Sequence, residues 1–264
     1  MKIIYKLLFL FLLTIGYSSC DFLDIVPDEI TTEADAFKDR NAAKNFVYSC
    51  YGYLPQSNVA SGSLDLLTGD EVITAFEHET VASFSKGNYT ASSPVISYWN
   101  TFFQGLRQCY IFLENVDKVP DLTESVKTDY IAQVKFLIAY YHYQLARCYG
   151  PIILIKELPD VNASQAEYLP RTSYDECVDW ICNLLDEAAS SLPAIRTNKE
   201  DYGLATSVGA KAVKAKMLLY AASPLFNGNS SFYSNFTDKS GSQLMPLTYD
   251  PNKWVKEKKA IKEE

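Results

Sequence analysis

With 264 residues, 48% of them hydrophobic, the chain can bury a substantial core, which excludes a disordered tail. A formal net charge of −8 argues against a nucleic-acid partner and supplies no basic patch for anionic lipid.

The first segment carries Lys2 and Lys6, an apolar run from Leu7 to Ile15 and small residues before Cys20. That run is too short to cross a bilayer, so the pattern predicts an export signal over residues 1–19 and a mature domain over residues 20–264. Loss of Lys2 and Lys6 would take the formal charge from −8 to −10. Cysteine at the cut predicts a bacterial lipoprotein, with diacylglycerol on the Cys20 thiol and a further acyl chain such as palmitate on the freed amine. Each buried methylene would hold the chain on the membrane by ~0.8 kcal/mol. The alternative is a plain secretory signal in which Cys20 falls near the cut.

From Ala43 onward, apolar residues recur at alternating three- and four-residue spacing, the period of a helix face. The stripes are Ala43, Val47, Cys50, Leu54; then Trp99, Phe103, Leu106, Tyr110, Leu113; then Ile131, Val134, Ile138, Tyr141, Leu145, Cys148. Two more follow: Tyr174, Val178, Ile181, Leu185, Ala188, Leu192, and Val208, Ala212, Ala215, Leu219, Ala222. Pro55, Pro120, Pro193, Pro224 and Gly150-Pro151 punctuate their ends. Ser173 with Glu176 reads as a capping box, and Asp250-Pro251 as the start of a last helix carrying Trp254. Only Ile152 to Ile155 reads as a short strand. The fold class expected is mainly α. Tyr130, Leu137, Tyr140 and Tyr143 surround the third stripe, as stacking of helical hairpins into a solenoid requires.

Long irregular stretches separate the helices at residues 56–94, 156–172 and 227–249. Segments of that length commonly carry function. The first holds Phe76, Phe84, Asn88 and Tyr89, with Tyr98 just beyond it; the third holds Asn229, Phe232, Tyr233 and Phe236 after Phe226-Asn227. Rings beside amides suit sugars, because rings stack on the apolar faces of pyranoses and amides pair with hydroxyls. Phe76, Asn88, Tyr89 and Tyr98 are the expected ligand contacts. The competing reading is that such rings anchor loops onto helices.

Six cysteines in an exported chain raise the question of disulfides, yet lipidation of Cys20 leaves five. Cys50, Cys109, Cys148 and Cys177 lie on or beside apolar stripes, where cysteine acts as a small hydrophobe. With His78 and His142 the only histidines and no Cys-x-x-Cys, no metal site is expected, nor any cofactor. Asp70-Glu71 and Glu77 with Glu79 resemble paired glycosidase carboxylates only in sequence spacing, which does not set their separation in space. No catalytic residue is assigned.

The chain resembles the SusD/RagB family of outer-membrane nutrient-binding lipoproteins of the Bacteroidetes. The resemblance is carried by Cys20-Asp-Phe-Leu-Asp24 and Pro27, Trp99 with Leu106-Arg107, and Lys135 to Pro151. It continues through Pro170-Arg-Thr-Ser-Tyr-Asp-Glu176, residues 186–193 and Lys214 to Asn227. It implies tetratricopeptide-like helical pairs, a lipid tether at the cell surface, and loops that capture an oligosaccharide or peptide without catalysis. It also implies a partner, a SusC-like TonB-dependent outer-membrane transporter. Family members continue well beyond the point matching Lys259–Glu264, so a C-terminally incomplete chain is expected. A lipid-anchored helical scaffold, or a non-functional truncated fragment, without its own ligand is the alternative reading.

Overall fold

In the computed structural model, residues 33–55, 81–160 and 169–262 are described, together with residues 69, 74–76, 78 and 162. Cys20, the export signal and the acidic pairs Asp70-Glu71 and Glu77/Glu79 lie outside the described residues. The chain divides into two compact units, 1–36 and 37–264. In the first, residues Glu33–Ala36 form a single helical turn.

In the second unit, the apolar periodicity produces long helices: α1 (Arg40–Tyr51), α2 (Trp99–Asn115), α3 (Glu124–Tyr149), α4 (Tyr174–Ser191), α5 (Ser207–Ala222) and α6 (Asn252–Lys262). Local chemistry starts several of them. Asp39 accepts from the Ala42 amide at 2.8 Å, Thr206 from the Gly209 amide at 3.1 Å, and Asp250 from the Asn252 amide at 2.9 Å. The expected stops hold at Gly150, which takes φ +70, and at Ser223, beyond the last residue of α5.

The capping box at Ser173 does not form. Ser173 is the N-cap, but its side chain makes no capping bond. The Tyr174 amide donates instead to the carbonyl of Leu244 at 2.8 Å, so a distant loop satisfies this first-turn donor.

Each helix packs on the next in the chain, α1 on α2 and α3, α2 on α3, α3 on α4, α4 on α5 and α5 on α6. This is the tetratricopeptide-like arrangement of stacked hairpins. The α4 stripe is buried throughout, from Tyr174 to Leu192. Removing a side chain such as Ile181 or Leu185 from water contributes about 2 kcal/mol. In α3, Leu137, Ile138, Tyr141, Tyr143 and Leu145 are all buried, so this helix is covered on more than one side. Gly105 of α2 permits the closest approach, because a Cβ there would meet the Tyr141 ring and Tyr53 at 3.0 Å.

Two stripes bury a different face from the one read in the sequence. In α2 the deepest residues are Phe102, Leu106, Cys109 and Phe112, with Trp99 and Phe103 at the flank. In α5 the buried residues are Ala210, Ala215, Met217, Leu218, Ala221 and Ala222, whereas Val208 and Leu219 are exposed. That helix is apolar around most of its circumference, so spacing alone does not select a face.

Residues 152–155 are extended and mostly buried but are not a strand, and the described residues contain only isolated bridges. Side chains and a loop satisfy their backbone instead. The Ile155 amide donates to Nε2 of His142 at 3.1 Å, the Tyr110 hydroxyl donates to the Ile155 carbonyl at 2.6 Å, and the Thr172 amide donates to the Ile152 carbonyl at 2.7 Å.

Cys50, Cys109, Cys177 and Cys182 are buried and Cys148 is half-buried, and none of the five is in a disulfide. Burial pushes the Cys177 thiol up to about 11 and the Cys182 thiol up to about 12, so both stay protonated at neutral pH.

Candidate functional site

The candidate surface begins at the short helical turn Ala82–Ser85. Gly87, at φ +67, reverses the chain after it. The Gly87 amide donates to Phe84 at 3.0 Å and the Asn88 amide to Ser83 at 2.9 Å, the paired bonds of a Schellman motif. The Phe84 and Tyr89 rings close the motif with centroids 5.2 Å apart. Thr90 and Ser93 then exchange backbone bonds at 3.2 Å each, and the Ser93 amide also donates to the Thr90 hydroxyl at 3.0 Å. These local bonds hold Asn88 and Tyr89 outward, Tyr89 with 52% of its surface exposed.

Of the four expected ligand contacts, Asn88 and Tyr89 share this turn. Phe76 is 63% exposed and its ring contact is to His78, at 5.6 Å. Tyr98 faces the core, its ring stacked on Phe102 at 4.9 Å and its backbone amide held by the Tyr149 hydroxyl at 3.0 Å. It therefore positions the end of the loop against α2 and α3. In the third stretch, Phe226 and Asn227 are buried and fasten the loop, while Phe232 is 75% exposed.

Trp99, at the start of α2, meets the edge of Tyr149 at 5.2 Å and lies under the guanidinium of Arg171 at 5.3 Å. Arg171 is fixed there because it donates to the carbonyls of Pro151 at 2.7 Å and Tyr149 at 3.3 Å. The cluster ties the C-terminal end of α3 to the start of α2 and to the stretch before α4, with Arg171 at the surface. Arg171 stood in a recognised sequence block, but its partner Trp99 is too distant in the chain for spacing to reveal the contact. Gly87 was not singled out in the sequence, where residues 56–94 read as irregular; a glycine just past a short helical turn is the signal that could have found it. The turn offers an exposed ring, an exposed amide and hydroxyls, with no nucleophile and base arranged for catalysis among these residues.

Residues 21–219 match the SusD-like family described as "Starch-binding associating with outer membrane". SusD-like protein P25 of Formosa agariphila is 22% identical over 230 residues, which cover 82% of this chain and 43% of that protein. The solved structure of BT4246 superposes with a TM-score of 0.78 at 35% identity, covering 86% of this chain and 39% of the other. A laminarin-binding SusD-like protein shares the fold with a TM-score of 0.59 at 22% identity, over 70% of this chain and 41% of its own length. This chain thus spans about two fifths of each of these relatives. The family match over most of the chain, on a backbone of stacked helical hairpins, establishes that the chain belongs to the SusD-like family.

Proposed function

We propose that the chain is a non-catalytic glycan-binding lipoprotein, anchored to the outer membrane through Cys20, that delivers its ligand to a SusC-like TonB-dependent transporter. The observation that carries this reading is the turn at residues 84–93, which presents Asn88 and Tyr89 to solvent on a self-supporting backbone, in a chain whose family is described as starch-binding. An exposed tyrosine stacks on a sugar face, and the amide beside it pairs with two hydroxyls. A fixed turn loses little entropy on binding, which suits a protein that must hold and then release a ligand. Peptide is the second ligand class compatible with this surface.

The test is calorimetric titration of the chain with starch and laminarin oligosaccharides, before and after Asn88→Ala with Tyr89→Ala. Affinity should fall at least about tenfold, the loss of one stacking contact and its paired hydrogen bonds, with helical circular dichroism unchanged. Unchanged affinity would remove this loop from the site.

A further inference from the structure

Cys50 of α1 and Cys109 of α2 are both fully buried, on helices that pack against each other. Three contacts set the register of that seam. The Phe46 and Phe112 ring centroids lie 6.2 Å apart, Gln108 Nε2 donates to the Ser49 hydroxyl at 2.9 Å, and Gly105 faces Tyr53, just past α1. Positions rise along one helix as they fall along the other, so the two run antiparallel. Residues 46, 50 and 53 share one face, and residues 105, 109 and 112 share the face opposite. This register sets Cys50 against Cys109, between the phenylalanine layer and the glycine layer, and the two thiols are hydrogen-bond partners.

The helices come close enough there for a covalent bond. A disulfide needs its two Cβ atoms about 3.5–4.5 Å apart. One turn from Cys109, a Cβ at Gly105 would stand 3.0 Å from the Cβ of Tyr53. The Tyr141 hydroxyl donates to the Cys50 carbonyl at 2.5 Å and fixes the end of α1. Two other cysteines are placed differently. Cys177 turns its thiol to the carbonyls of Thr172 and Ile152, at 3.5 and 3.8 Å, and Cys182, five positions on in the same helix, points well away from it.

We propose that Cys50 and Cys109 form a disulfide in the exported protein, cross-linking α1 to α2. The inference rests on the export half of the reading above, because such bonds form and persist outside the cytoplasm. The oxidant is itself a disulfide, of a protein or of a small thiol. As the Sγ–Sγ bond forms the oxidant's S–S bond breaks; two electrons pass to the oxidant, and the two thiol protons end on the two thiols it becomes. Neither folded thiol reaches solvent, and burial, with the Cys50 thiol beside it, pushes Cys109 well above the ordinary thiol range. The bond therefore forms before the helices close. It then encloses residues 51–108, the stretch that carries the turn at Asn88 and Tyr89.

Peptide mapping of the full chain from the bacterium that makes it tests this, after acid quenching, cell fractionation and alkylation of all free thiols under denaturing conditions. The expected result is an envelope-bound chain in which the Cys50 peptide is joined to the Cys109 peptide. An envelope-bound chain with both residues alkylated, or with either joined to another cysteine, overturns the cross-link and leaves export and glycan binding standing. Recovery in the cytoplasmic fraction alone overturns export and the cross-link with it. A second measurement is urea unfolding of the full chain refolded with oxidised glutathione or with dithiothreitol. Reduction should lower the folding equilibrium constant of wild type on the order of 10³-fold, the loop-closure effect of about 60 enclosed residues, and leave Cys50→Ala with Cys109→Ala unchanged. A wild type indifferent to reduction overturns the cross-link, and the peptide map decides the question without the variant should that fail to fold.

Discussion

Asn227 and Asp250 are joined by a two-bond clamp across 23 residues: the Asn227 side-chain nitrogen donates to the Asp250 carbonyl at 2.9 Å, and its oxygen accepts from the Asp250 amide at 2.9 Å. The amide acts as a surrogate backbone that draws the end of the third irregular stretch onto the end of α5, just where α6 begins. Gly228, at φ +80, makes the approach feasible, since a Cβ there would stand 2.3 Å from the Tyr249 nitrogen.

Asn227→Ala should therefore lower unfolding stability by about 2 kcal/mol, because it strands a donor and an acceptor of the backbone. Gly228→Ala should cost at least as much, through collision with the backbone and a positive φ together. Urea denaturation followed by circular dichroism measures both. A change within about 0.5 kcal/mol for both variants would mean that the clamp does not hold α6 in place.

His142 sets a pH dependence. It is buried, its Nδ1–H donates to the Ile138 carbonyl at 2.8 Å, and Nε2 accepts from Ile155, which specifies the neutral tautomer. Burial holds its folded pKa down to about 4, against 6.5 unperturbed. The unfolded chain thus takes up a proton below pH 6.5 that the folded chain refuses until pH 4. Stability from this group is complete above the unfolded pKa, falls as pH drops through the window, and is lower by about 3 kcal/mol at its acid end. His142→Gln, which does not titrate, should flatten this part of the stability profile; an equally steep profile in the variant would assign the effect elsewhere.

Arg196 grips both carboxylate oxygens of Asp129, at 2.8 and 2.9 Å, and donates through Nε and a terminal nitrogen to the Ala205 carbonyl at 3.0 and 2.7 Å. The pair is only partly shielded, with side-chain exposures of 10% and 28%. Arg196→Ala should cost about 2–3 kcal/mol, since it leaves Asp129 and the Ala205 carbonyl short of partners. Arg196→Lys should recover only part of this, because an ammonium cannot span both carboxylate oxygens. Thermal melts of the two variants separate a bidentate role from a simple charge: full rescue by lysine would argue for charge alone.

Gly87 links local backbone to binding. A Cβ at this position meets nothing within 4 Å, so Gly87→Ala acts through φ +67 alone, at about 1 kcal/mol. Oligosaccharide affinity should fall while the melting temperature of the helical array stays unchanged. Retained affinity would show that Asn88 and Tyr89 do not depend on the turn for their placement.

The six long helices, most of their ends and the fully buried stripe of α4 were legible in the sequence, because period and punctuation are local properties of neighbouring residues. The blocks that placed the chain among SusD-like proteins were legible for the same reason. Which face of α5 turns inward, that Ile152 to Ile155 find side chains instead of a sheet, and that the half-buried Tyr98 ring stacks on Phe102 were decided by the tertiary structure. So were the partners of His142, Asn227 and Arg196, and the facing of Cys50 and Cys109. Each depends on groups brought together from distant parts of the chain, and a helix apolar on several sides leaves the choice of neighbour to the packing of the whole array.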